Sequence, residues 1–162
     1  MERILIPVDA SENSRRAVAY ASRILRDSKD AEITLFHVLK TIPRSLMEHG
    51  GSDDPAKEGQ LSETLRHDQE VWLKREQEVE SPAIKEACNA LRQTGFDPGR
   101  VLLKFSTDEN VSRAILEIAR REGYETIVVG RRGESSRKDG LTGKVTEKLL
   151  HGATGLTIWI VE

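Results

Sequence analysis

The sequence predicts an α/β domain of the doubly wound type, with five strands in a parallel sheet and helices on both faces. Short runs rich in Ile and Val alternate with stretches whose apolar residues recur every three or four positions, the periods of buried strands and of helices laid on a sheet. Two strand candidates run into short polar residues, Asp9-Ala10-Ser11 and Ser106-Thr107-Asp108, which can cap a following helix. With only two Trp, two Tyr and three Phe in 162 residues, the core must be aliphatic, which suits helices packed on a parallel sheet.

In chain order, Arg3 to Val8 reads as the first strand, and Ala17, Val18, Ala21, Ile24 and Leu25 form the apolar stripe of the first helix. Ile33–Val38 is the second strand and completes a βαβ unit, expected to be right-handed. From Lys40 to about Gly59, Pro43, Pro55 and several glycines predict a loop. From Leu61 through Leu65, Trp72, Val79, Ala83, Ala87 and Leu91 the apolar phase is helical, with Ser81-Pro82 readable as a fresh start, so two helices or one kinked helix both fit. Val101–Phe105 is the third strand, Val111 to Ala119 a helix, Glu125–Val129 the fourth strand, and Val145 to Leu150 a short helix. Gly155 to Val161 is the fifth strand, apolar on both faces. The whole chain, 1–162, reads as one domain carrying a long charged loop and helix segment at about 41–80.

A net charge of −2 argues against a nucleic-acid or anionic-membrane surface, each of which needs a dominant basic face. The lone Cys88 sits in a helical stripe and suggests a reducing compartment. The first residues carry an apolar run too short for a signal peptide, and no segment reaches transmembrane length. A cytoplasmic protein with small-ligand or protein partners is expected. His49, His67 and His151 lack metal-ligand spacing, and His37 is read as a packed residue at a strand end, outside any site.

The informative segment runs from Gly130 to Thr146, between a strand end and a helix start. It is long for a loop in a compact domain, and its glycines allow positive φ and close approach of a ligand to the backbone. The helix that follows offers free N–H groups and the positive end of its dipole, which favour a phosphate. Arg131, Arg132, Arg137, Lys138 and Lys144 outnumber Glu134 and Asp139 there. The segment is not a Walker A loop, because Lys138 stands where that pattern's first glycine belongs and Val145 where Ser or Thr should follow the lysine.

Gly130, Gly133 and Gly143 keep the spacing of glycine, two residues, glycine, nine residues, glycine. On that spacing, and on Ile4–Ser14, His37-Val38 and Thr146–Leu150, the chain resembles the universal stress protein family over nearly its whole length. The resemblance implies strand order 3-2-1-4-5 and an adenine-nucleotide site where the carboxyl ends of strands one and four part. It implies that Pro7, Val8 and Asp9 lie at the end of strand one, with Asp9 accepting from the adenine amino group or the ribose. Val38 would meet the adenine through its backbone, and Gly130, Arg131 and Gly133 would line the ribose and phosphates. Gly143, Lys144, Val145 and Thr146 would offer N–H groups, and Thr146 a hydroxyl, to the phosphates.

Lys144 departs from the family's Ser or Thr, removing a hydroxyl that would bond phosphate or help hold Mg²⁺. It supplies a flexible cation instead, and the departure implies weakened binding. The resemblance thus implies a stress-response or regulatory protein binding ATP or another adenine nucleotide, with Mg²⁺ held only by its phosphates, and acting as a homodimer through its last strand at Trp159 and Ile160. The alternatives are an interaction module of the same family without a nucleotide, and a slow ATP hydrolase or self-phosphorylating protein with Ser135, Ser136, Thr142 or Thr146 as acceptor. No residue reads as a dedicated catalytic base.

Overall fold

A computed structural model describes residues 2–39, 53–133 and 142–162, apart from the side chains of residues 76–81. Five strands, β1 (Glu2–Pro7), β2 (Ala31–Leu39), β3 (Val101–Thr107), β4 (Thr126–Gly130) and β5 (Thr157–Val161), form one parallel sheet in the order β3-β2-β1-β4-β5. Among the described residues four α-helices connect them: α1 (Glu12–Leu25), α2 (Pro55–Gln93), α3 (Val111–Glu122) and α4 (Lys144–Gly152), with a 3₁₀ turn at Pro98–Arg100. Fold class and strand order are those expected.

The sheet is buried on both faces by strict alternation along its central strands. In β1, Ile4 and Ile6 join Ala17, Val18 and Ala21 of α1 and Ala87, Ala90 and Leu91 of α2. Leu5 points the other way, into the cluster of Ala114, Ile115 and Ala119 of α3 and Leu149 of α4. The same division holds in β4, where Val128 faces α1 and Ile127 and Val129 face α3. The chain therefore winds outward from β1 to β3 on one side, crosses the sheet, and winds from β4 to β5 on the other. That reversal opens a crevice at the carboxyl ends of β1 and β4.

The segment before β3 differs from the expectation of a loop to Gly59. Asp54 caps α2 by accepting from the Ala56 N–H at 3.1 Å, and Pro55 occupies the first turn. The Asp-Pro pair is thus a start signal rather than turn chemistry. Ser81-Pro82 does not begin a second helix: α2 continues through it, and Ala83, Ala87, Ala90 and Leu91 beyond it are buried. Cys88 packs, half-buried, beside them. Among the described residues of 55–75 none is buried. No helix among the described residues is long and apolar enough to cross a membrane.

Candidate functional site

The crevice is a cleft of about 430 Å³ lined by residues from both halves of the sheet. Pro7, Val8 and Asp9 come from the end of β1, and Phe36, His37 and Val38 from β2. Ser11 and Ser14 come from the start of α1, Val111 and Ile115 from α3, and Val129, Gly130, Arg132 and Gly133 from the end of β4. Lys144, Val145 and Thr146 of α4 close it. All the expected site residues except Arg131 and Gly143 line this one cleft.

The floor is held by the sheet. Val8 N–H donates to the Phe36 carbonyl at 2.8 Å, and the buried His37 ring donates from Nδ1 to the Val8 carbonyl at 2.6 Å. His37, expected outside the site, is part of its wall. At the rim Asp9 accepts through Oδ1 from Ser11 N–H at 3.0 Å and Ser11 Oγ at 2.5 Å, while its own N–H donates to Ser14 Oγ at 3.1 Å. Ser11 in turn accepts from Ser14 N–H at 3.1 Å and caps α1. Asp9 braces the capping residue and does not cap the helix itself.

The glycines serve a different geometry from the one expected. Gly130, Gly133 and Gly143 do not adopt positive φ. A Cβ on Gly130 would stand 2.7 Å from the Asn13 carbonyl carbon, so glycine is needed there for β4 to pass the first turn of α1. A Cβ on Gly133 would stand 2.8 Å from Asp9 Oδ2, so Gly133 keeps the loop backbone against that carboxylate. Gly143 N–H donates to the Arg131 carbonyl at 2.8 Å, and Thr146 Oγ1 to the Gly130 carbonyl at 3.0 Å. These bonds close the loop on itself and engage two of the groups expected to meet phosphate.

Arg131 is directed elsewhere, because its N–H extends the β4–β5 ladder to the Val161 carbonyl at 2.7 Å and its guanidinium pairs with Glu162 at 2.7 Å. Arg132, one residue on and not among the expected site residues, takes the place in the cleft expected of Arg131. No local pattern separates two adjacent arginines; the β4–β5 pairing does. Ser11, Val111 and Ile115 were legible as cap or helix stripe, but their facing of the cleft, like that of Ser14, depends on tertiary packing. Of the expected phosphate acceptors, Thr146 is buried and Thr142 half-buried, while Ser135 and Ser136 lie outside the described residues.

The start of α4 is chemically open. Gly143 is its N-cap with no side-chain hydrogen bond, and Glu147 N–H is the first taken up by the helix, donating to the Gly143 carbonyl at 2.9 Å. The N–H groups of Lys144, Val145 and Thr146 precede that bond, at the positive end of the helix dipole. Two cationic side chains, Lys144 and Arg132, share the cleft with one carboxylate, Asp9. Val8, Phe36, Val38, Val111, Ile115 and Val129 also line the cleft, so it offers apolar surface together with anion chemistry. No group of His, Cys, Asp and Glu suited to a metal ion occurs among the described residues.

The sequence model of the Universal stress protein family matches residues 1–155. No curated protein sequence matches the chain. Among solved structures, the universal stress protein UspA from Lactobacillus plantarum is 20% identical with a TM-score of 0.68, the match covering 99% of this chain and 97% of that one. A universal stress protein in complex with cAMP is 17% identical with a TM-score of 0.63, over 99% and 96% of the two chains. A family protein from Arabidopsis thaliana with AMP bound is 15% identical with a TM-score of 0.59, over 99% and 91%. These likenesses extend the shared fold across the whole chain.

Proposed function

The chain belongs to the universal stress protein family, and from that premise we propose that it binds an adenine nucleotide, ATP foremost, in the cleft between β1 and β4 and acts as a cytoplasmic regulatory protein of the stress response. The observation that carries this reading is the open first turn of α4, with three N–H groups, Lys144 and Arg132 bordering a cleft that is also lined by apolar side chains. The base lies against Val38 and the apolar lining, the ribose lies near Asp9, and the phosphates meet α4. Gly133 supports this placement because its missing Cβ leaves the loop flush with Asp9. Two structural relatives, by name, carry cAMP and AMP, which supports adenine as the base.

The protein acts as a homodimer through β5, an edge strand whose Ile160 is exposed and whose Trp159 is half-buried. An edge with apolar residues needs covering, and a two-fold copy of the same strand would cover it. Ile160→Glu should convert dimer to monomer in sedimentation analysis; an unchanged mass would remove β5 from the interface.

One observation favours a second reading, an interaction module without a nucleotide. Thr146 Oγ1 and Gly143 N–H are engaged inside the loop instead of facing the cleft. Mass spectrometry of small molecules released from denatured protein, with calorimetric titration of ATP, decides between the two. An adenine nucleotide released or bound supports the first; neither supports the second.

A further inference from the structure

Lys144 occupies an unusual electrostatic position. It is the first residue of α4, where the uncapped N–H groups and the helix dipole already concentrate positive potential, and a cation there is unfavourable unless an anion joins it. Other cations near the sheet have carboxylate partners: Lys104 pairs with Glu122, and Arg131 with Glu162. Among the described residues Lys144 has no such partner. It lies on the lining of the cleft with Arg132, and Asp9 Oδ1 is committed to Ser11. The cleft therefore brings fixed positive charge to the place where a phosphate chain would emerge.

We propose that Lys144 is a built-in counter-cation for the terminal phosphates, so that the cleft takes adenosine di- and triphosphates without a divalent metal. The proposal rests on the nucleotide reading above and reverses the expectation that lysine at this position weakens binding. A serine hydroxyl contributes one hydrogen bond and a ligand for a metal that must itself be recruited. An ammonium contributes charge directly, with three donors on a stem long enough to reach successive phosphate oxygens. Affinity should then follow the charge of the ligand and fall with ionic strength. Mg²⁺, by neutralising the phosphates in advance, should weaken binding or leave it unchanged.

The test is calorimetric titration of the protein with adenosine, AMP, ADP and ATP, in EDTA and in Mg²⁺, for the wild type, Lys144→Gln, and, as a control, Lys85→Gln on the exposed face of α2. The expected wild-type series in EDTA tightens from AMP to ATP and weakens with salt. Lys144→Gln should lower ATP affinity about tenfold or more in EDTA and flatten the series, while Lys85→Gln binds as the wild type does. A wild type that binds ATP only with Mg²⁺, or a Lys144→Gln protein that binds ATP in EDTA as tightly as the wild type, overturns the proposal. Should Lys144→Gln not fold, the wild-type series with and without Mg²⁺ decides alone. If no ligand in the series binds the wild type, adenosine included, the cleft reading itself fails.

Discussion

Three helices begin at the rim of the same cleft, and they begin differently. The start of α1 is completed by the chain's own oxygens: Ser11 accepts from Ser14 N–H, Asp9 braces Ser11, and Glu12 adds a carboxylate to the first turn. The start of α3 is completed likewise, with Asn110 Oδ1 accepting from Arg113 N–H at 3.2 Å and Asp108 ion-paired to Arg113 at 2.8 Å. That pairing holds the Asp108 carboxyl below the usual range, chiefly through the hydrogen bond from Arg113. At α4 there is glycine at the cap and lysine after it. A side-chain cap contributes about 1 kcal/mol to a helix, and α4 forgoes it where that omission leaves donors facing a ligand-sized cleft. Local rules broken at one terminus and kept at its neighbours mark the place where function competes with folding.

The largest effect should come from disturbing the contact that holds the closed terminus against the sheet. Gly130→Ala places a Cβ within 2.8 Å of Asn13 backbone atoms, with no side-chain end able to swing away. Unfolding in urea should show a loss of about 1–3 kcal/mol, and an unchanged midpoint would mean that α1 and β4 are less tightly juxtaposed. Next in size is Ser11→Ala, which removes the cap of α1 and the partner of Asp9. A stability loss of about 1 kcal/mol is expected, together with weaker nucleotide binding as Asp9 loses its brace. Full stability in this variant would show that the capped terminus is no firmer than the open one.

The sequence made the two kinds of terminus unequally visible. Asp9-Ala10-Ser11 announces a helix start through residue type, and the strands are announced by aliphatic runs, because capping and periodicity are local; the cap expected at Ser106-Thr107-Asp108 is instead Asn110, since β3 runs on through Thr107. The spacing of Gly130, Gly133 and Gly143 located the cleft, yet not the reason for each glycine. Gly130 answers to Asn13, a contact between distant parts of the chain that no window of sequence contains. Arg131 and Arg132 were indistinguishable until the β4–β5 ladder turned one toward Glu162. Strand order likewise needed the family resemblance, since alternation of elements alone is compatible with several windings. The start of α2 was misread for the opposite reason: Asp54-Pro55 is chemistry shared by turns and helix caps, and α2 buries nothing in its described first turns to reveal its phase.

Reversing the charge at the open terminus should separate folding from binding. Lys144→Glu places a carboxylate in the first turn of α4, where the dipole favours it by about 0.3–1 kcal/mol. The variant should unfold at slightly higher urea concentration than the wild type while binding ATP far more weakly. A rise in stability without a loss of affinity would show that the ligand's phosphates do not approach α4. A fall in stability would show that the first turn is not the electrostatic conflict described here.

The smallest effect concerns acid. Glu12 sits in the first turn of closed α1 and is held at about 2, from an ordinary 4.5, first by its hydrogen bond from Arg15 and then by Arg16. A carboxylate lowered on folding stabilises the native state above its unfolded value, and that contribution is lost as pH falls from about 4.5 toward 2. The group is exposed, so solvent screening keeps the contribution small. Thermal unfolding of Glu12→Gln should therefore match or fall slightly below the wild type at pH 7, and the gap should close as pH falls through that window, most completely at low salt. A gap that persists unchanged at pH 2 would mean that Glu12 supports α1 by packing rather than by charge. The contrast between a terminus that carries its own anion and one that awaits a ligand's would then have to rest on Ser11 and Lys144 alone.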